Sequence, residues 1–290
     1  MYKLFFLFCF ATSLNINESA VIPYNLKKID IKLVLPAILH EISGITILDS
    51  TTVGCIQDEN GILFLYDINR SRIRKQIPFG LNGDYEGICR VNNTLYILRS
   101  DGVIFEIENY TSEKLHVKEY KTGIPAINNE GLCYDLENNR LLIGSKGKIN
   151  RDPLNKDKRL IYEFNLKTKL LNQMPVLNIN INDINLSAKL KGIAFLKKKN
   201  KNGDLIEVGF ELNTSEIAIH PITKQLYVLS STDHCLFIFN LNGNLEVIEP
   251  LNPNLFNKAE GLSFFPNGDM LISNEGQAHQ PTMLKFKYQQ

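Results

Sequence analysis

The sequence has no surplus of charge of either sign: 32 Lys and Arg stand against 31 Asp and Glu, a formal net charge of +1. That balance gives no overall electrostatic case for nucleic acid or for an anionic membrane surface. The Lys197-Lys198-Lys199 cluster reads as a solvated loop. Beyond the first residues no apolar run approaches the ~20 residues of a spanning helix, so the mature chain is expected to be soluble. No CxxC and no zinc-like ligand spacing occur. There is no G-x-S-x-G elbow, and His40, His116, His220, His234 and His279 share no common position in the pattern described below, so nucleophilic catalysis finds little support. Helix signals are nearly missing as well.

What the chain does have begins at its N-terminus. Lys3 precedes the apolar run Leu4-Phe5-Phe6-Leu7-Phe8-Cys9-Phe10, and Ala11-Thr12-Ser13 supplies small residues where a signal peptidase reads. Residues 1–13 are therefore expected to be a cleaved signal, 14–26 a short N-terminal segment, and 27–290 a single domain. The protein is then exported, to a periplasm or cell envelope or beyond. Cys55, Cys89, Cys133 and Cys235 remain, and they read as buried small side chains because Cys89 and Cys133 occupy one repeat position within apolar strands.

The repeat decides the fold. Glu41-Ile42-Ser43-Gly44-Ile45, Glu86-Gly87-Ile88-Cys89, Glu130-Gly131-Leu132-Cys133, Glu216-Ile217-Ala218-Ile219 and Glu260-Gly261-Leu262-Ser263 vary one phrase, with glutamates 45, 44, 86 and 44 residues apart. A period near 44 is that of a four-stranded propeller blade. Each copy continues into a second apolar strand, as in Leu95-Tyr96-Ile97-Leu98 and Leu226-Tyr227-Val228-Leu229. An alternating third follows, as in Val103-Ile104-Phe105-Glu106-Ile107. Asn60-Gly61, Asp101-Gly102, Asn242-Gly243 and Asn267-Gly268 supply the turns. The last copy has three strands only, and residues 29–35 are placed to add the fourth and close the ring. The span 27–290 equals six periods, so an all-β propeller of six four-stranded blades is expected. Five blades with a long excursion around Val176 to Leu212, which lacks the phrase, is the alternative.

Several of these phrases carry a resemblance. Asp84-Tyr85-Glu86-Gly87-Ile88, Ala218-Ile219-His220-Pro221-Ile222-Thr223, Ala259-Glu260-Gly261-Leu262-Ser263-Phe264 and Ile272-Ser273-Asn274-Glu275-Gly276 resemble phrases of the SdiA-regulated (YjiK-like) family, over roughly residues 38–288. Glu216 departs from that pattern, where a small residue is expected. The resemblance implies a propeller, an exported or envelope-associated protein, and a tendency to bind calcium.

In a propeller the first strand of each blade lines the central channel, so Glu41, Glu86, Glu130, Glu216 and Glu260, with Asp84, are expected around one mouth. Carboxylates gathered there must take up protons, bond to backbone N–H groups or pair with a cation. Ca²⁺ is the expected ion; the alternative is that the glutamates only lock neighbouring blades. Second-strand ends add Arg99, Lys146, Asn274 and Glu275 as candidate ligand-binding residues. Two functions follow: a binding or scaffold protein holding a cation with a small ligand or protein at the mouth, or a metal-dependent hydrolase of phosphate esters or lactones.

Overall fold

The computed structural model describes residues 21–112, 115–147 and 155–290. The expected signal at residues 1–13 and most of the polar loop after Lys146 lie outside the described residues. Its strands form five blades around an axis. The first is Ile42–Ile47, Thr52–Gln57, Ile62–Asp67 and Arg72–Pro78. The second is Tyr85–Val91, Thr94–Arg99, Val103–Glu108 and His116–Lys121. The third is Asn129–Asp135, Arg140–Ser145 and Lys158–Asn165, with its outer edge shared by Leu170–Leu171 and Leu177–Asn180. The fourth is Glu216–Ile219, Leu226–Ser230, Cys235–Phe239 and Leu245–Pro250. Ala259–Phe264, Met270–Asn274 and Thr282–Phe286 make the fifth, completed by Ile31–Val34.

The blades pack face to face, which explains the apolar runs. A middle strand such as Cys235–Phe239 is buried on both faces, whereas the outer Arg72–Pro78 shows one buried residue in seven. Five separate apolar clusters fill the five wedges. One, for example, joins Leu98 and Ile104 of the second blade to Leu141, Ile143 and Phe164 of the third. The inner strands approach so closely that a Cβ on Gly87 would stand 2.7 Å from the Glu130 carbonyl oxygen. Glycine there is a packing requirement, since a real Cβ would force two inner strands apart.

The blade count corrects the six-period expectation in favour of the five-blade alternative. Residues 181–208 form a helix, Ile181–Leu190, and a hairpin of Leu196–Lys199 with Leu205–Val208. Neither hairpin strand has a buried residue, so it cannot sit between two blades. The helix also corrects the expectation of nearly no helix. Asn180 caps it by accepting from the Asn182 amide at 2.9 Å, and Ile181, Ile184 and Ala188 bury one stripe beside Phe210 and Phe237.

Ring closure is as expected. Ile31, Lys32, Leu33 and Val34 pair with Lys285, Leu284, Met283 and Thr282. A buried polar chain reinforces the seam. His220 Nδ1 accepts from the Thr223 amide at 3.0 Å, which leaves the ring proton on Nε2, 2.8 Å from the Tyr24 hydroxyl; Tyr24 in turn donates to the Gly268 carbonyl at 2.6 Å. Burial pushes His220 down to about 4, so the ring is neutral at ordinary pH. No helix among the described residues is long and apolar enough to cross a membrane.

Candidate functional site at the channel mouth

Strand register locates the phrase residues. In blades two, three and five the ladder shifts by one at the glutamate, so Glu86, Glu130 and Glu260 sit on β-bulges followed by Gly87, Gly131 and Gly261. In the first blade the same shift falls on Ser43, before Gly44. In the fourth, Ser215 donates its amide to the Leu229 carbonyl at 2.8 Å and Glu216 pairs with Leu229. Ser215 therefore takes the bulge place and Glu216 the glycine place. The ring at the mouth is Ser43, Glu86, Glu130, Ser215 and Glu260. Glu41 lies two residues outside it and is exposed, as is Asp84. Glu216 lies one layer inside and is 1% exposed.

Backbone bonds bring a second ring alongside. The amides of Asp58, Ser100, Lys146 and Glu275 donate to the carbonyls of Glu41, Asp84, Asn128 and Lys258 at 2.8–3.3 Å. Charges therefore interleave. Lys146 Nζ is 2.6 Å from Glu130 Oε1, and Lys258 Nζ is 2.6 Å from Glu275 Oε2 and 3.7 Å from Glu260 Oε1. Asn128 and Ser231 donate to Glu130 and Glu260 at 3.2 and 3.1 Å. Among the described residues, seven carboxyls, of Glu41, Asp58, Asp84, Glu86, Glu130, Glu260 and Glu275, thus share two lysines.

The shortage of positive charge shows in the protonation equilibria. Burial first, then the Glu130 and Asp84 charges, push Glu86 up to about 9. Burial also pushes Glu130 up to about 8 against the pull of Lys146, with Glu260 adding to the rise. Asp58 is pushed up to about 6 by burial and by Glu41 and Glu275, and its Oδ1 has no bonding partner among the described residues. Glu275 is raised by burial in spite of Lys258. At neutral pH Glu86 therefore favours its protonated form, whereas Glu130 is held between burial and its contact with Lys146.

The other candidates are placed differently. Arg99 turns to Asp101, with Nε and Nη2 each 2.9 Å from its carboxylate, and its guanidinium carbon is 5.5 Å from the Phe105 ring centre. Asn274 is buried and donates to the Leu255 carbonyl and the Thr282 hydroxyl at 3.3 and 3.0 Å, which ties the loop at Leu255 to the strand end at Thr282. Glu216 Oε1 accepts the amides of Leu132 and Ile217 at 2.8 and 3.0 Å. Among the described residues it is the one phrase glutamate bonded to another blade's backbone, so the blade-locking role falls on the copy least like the others. Sequence reading missed Lys258, although Lys258-Ala259-Glu260 repeats the spacing of Asp84-Tyr85-Glu86. Among the described residues no group of three or more His, Cys, Asp or Glu side chains is placed to hold a metal ion. The expected Ca²⁺ ligand set does not fit as it stands, because Glu216 is committed to amides and Glu130 and Glu260 to lysines.

The other half of the channel has aliphatic inner walls, with the charged Arg90, Asp135, Glu137 and Lys224 also lining it. A cavity of about 560 Å³ opens at the opposite end, walled by Ile45, Ile88, Leu132, Ile217 and Leu262, with Cys89, Cys133 and Ala218 beyond them. The four cysteines among the described residues, Cys55, Cys89, Cys133 and Cys235, are free and buried.

No family model matches the chain, and no curated protein matches it. Solved structures do. The glutaminyl cyclase of Myxococcus xanthus aligns over 90% of this chain and 95% of its own at 11% identity, with a TM-score of 0.60. The PQQ-bound aldose sugar dehydrogenase of Streptomyces coelicolor aligns over 90% and 97% at 10% identity, with a TM-score of 0.52. The chain is a β-propeller. At such identities the likeness extends to the fold alone.

Proposed function

We propose that the protein is an exported binding propeller of the SdiA-regulated kind, working in the periplasm or at the cell envelope, whose mouth captures the ammonium or guanidinium group of a small ligand or a partner protein. The observation that carries this reading is the ring of Glu86, Glu130, Glu260 and Glu275 around Lys146 and Lys258, crowded enough that burial and neighbouring carboxyl charge push Glu86 up to about 9 and, against Lys146, Glu130 up to about 8. A cation entering the ring releases those protons and takes their place, so the ring's own repulsion becomes binding energy. An organic cation suits the mouth better than Ca²⁺, since it needs hydrogen-bond acceptors spread around it rather than three ligands converging on one point. The hydrolase alternative needs a basic group free beside a metal, and Arg99 and Lys146 are both bound to carboxylates.

The test is thermal unfolding at pH 7 after chelation, with agmatine, spermidine, Ca²⁺ or Mg²⁺ added. Saturation at 100 times Kd adds about 2.7 kcal/mol, a midpoint rise of roughly 5 °C or more. A rise with an amine, accompanied by proton release and lost in the Glu86→Gln, Glu130→Gln double variant, supports the reading. A rise with Ca²⁺ alone replaces it with the metal reading. No rise with any of the four sinks both.

A further inference from the structure

Beyond their aliphatic ring the five inner strands present one more ring of side chains. Residues on one face of a strand recur every two positions. Those that follow Ile45, Ile88, Leu132, Ile217 and Leu262 on that face are therefore Ile47, Arg90, Tyr134, Ile219 and Phe264. Both rings line the axial cavity. Arg90 is the one charged member of either ring, and it is half-buried. Its side chain also stands where two spaces meet. A second cavity of about 440 Å³, lined mainly by blades one and five, shares Ile47, Arg90, Phe264 and Pro266 with the axial one.

Two backbone carbonyls hold the Arg90 side chain in place. Nε donates to that of Asn92 at 2.6 Å, and Nη1 donates to that of Leu48 in the first blade. A guanidinium carries five N–H donors, so donors remain for a ligand. No carboxylate pairs with Arg90 among the described residues. The other charges around the two cavities are accounted for. Asp135 takes Arg140 Nε at 2.8 Å, Lys285 lies 2.8 Å from Asp269, and Asp49 accepts the Thr51 and Thr52 amides at 2.7 and 2.8 Å. Glu137 and Lys224 are exposed, opposite in sign and screened by solvent. What is left is one half-buried positive charge beside aliphatic walls, an arrangement that is costly until a counter-ion joins it.

We propose that the axial cavity is a second binding site, separate from the mouth, for a medium-chain aliphatic carboxylate, whose carboxylate pairs with Arg90 while its hydrocarbon chain lies against Ile88, Leu132 and Ile217. The planar fork of an arginine matches the two oxygens of a carboxylate. One unpaired guanidinium balances a monoanion, which favours a carboxylate over a phosphate monoester. The volume of about 560 Å³ falls within the range of small-molecule sites.

The experiment titrates the protein at pH 7 with octanoate, hexanoate and 1-octanol, with binding measured by calorimetry and saturation-transfer NMR. The expected result is saturable one-to-one binding of octanoate, at least about 10-fold tighter than 1-octanol, a ratio worth one charge-assisted hydrogen bond. Hexanoate binds about 10-fold more weakly than octanoate, because two methylenes leave the walls. Arg90→Gln brings octanoate down to the level of 1-octanol, whose own binding persists and reports an intact cavity. Should Arg90→Gln lose 1-octanol as well, Arg90→Lys decides: it keeps the charge without the fork and still favours octanoate, by less than the parent does. Lys224→Gln and Glu86→Gln leave octanoate binding unchanged, which separates the site from the outer rim and from the mouth. Equal affinity for octanoate and 1-octanol in the parent overturns the proposal. So do a preference that survives Arg90→Gln, one that vanishes in Lys224→Gln, and hexanoate binding as tight as octanoate.

Discussion

The two ends of the channel are built by the same five strands and differ in chemistry within three residues. At the bulge position the side chains are Ser43, Glu86, Glu130, Ser215 and Glu260; two residues on they are Ile45, Ile88, Leu132, Ile217 and Leu262. The mouth gathers carboxyls under electrostatic pressure, whereas beyond the glycine layer the inner strands turn aliphatic side chains toward the cavity. A ring of close-packed strands thus allows a steep polarity gradient, because the layer between the ends is almost all glycine backbone. Glu216 is the exception that joins them.

The comparison breaks most severely when that layer is thickened. Gly87→Val places side-chain atoms where Glu130 and Leu132 already stand, and should cost about 3 kcal/mol or more by overpacking. Urea denaturation measures it, and a cost below about 1 kcal/mol would show that the inner strands slide apart freely. Next comes pH. Glu86 and Glu130 are raised from ordinary carboxyl values, so their contribution is fully present below about pH 4.5 and lost as pH rises through about 8 to 9. The unfolding midpoint should fall by roughly 5 °C between pH 6 and 9. The Glu86→Gln, Glu130→Gln double variant should flatten that decline, and a decline of unchanged depth refutes the assignment.

The seam behaves in the opposite sense. His220 is held down to about 4, so its contribution is present above about 6.5 and lost as pH falls toward 4. Tyr24→Phe removes the hydroxyl between His220 and Gly268 and should cost about 1–3 kcal/mol at pH 7. Equal stability of Tyr24→Phe and the parent would show that the seam rests on its strand pairs alone. The smallest effect belongs to Arg99→Ala. Its pair with Asp101 is partly exposed, so the loss stays within about 1 kcal/mol, and amine binding at the mouth is unchanged. A large loss of amine affinity in Arg99→Ala would return that residue to the site.

Much of this was legible in the sequence. The repeat, the strands, the turns and the closing strand were read from apolar runs and a period near 44, because a blade buried on both faces imposes that pattern. Register was less legible. Matching Glu216 to Glu86 letter for letter is off by one, since what fixes the alignment is a backbone bond from Ser215 to Leu229. The first copy misleads likewise, with Ser43 rather than Glu41 on the bulge. Blade number was left between six and five, with six preferred, because arithmetic on length cannot tell a blade from a helix with an exposed hairpin. The run Leu196-Lys197-Lys198-Lys199, with three lysines where a blade strand needs apolar residues, was the available signal. The cavity was invisible, being a space defined by five distant segments rather than by any motif.

The clasp at the seam has a consequence for how the fold comes into being. Tyr24 and Gly268 lie 244 residues apart, and Ile31–Val34 finds its ladder only when Thr282–Phe286 is present. Every other blade can zip from neighbouring hairpins as it is synthesised, but the ring waits for its last strand. Until then Leu33, Leu35 and Met283 have no cover, so the interval before closure is when the chain is most exposed to aggregation and most in need of a chaperone. The order of the chain thus sets a clock on assembly, with the final strand as its alarm.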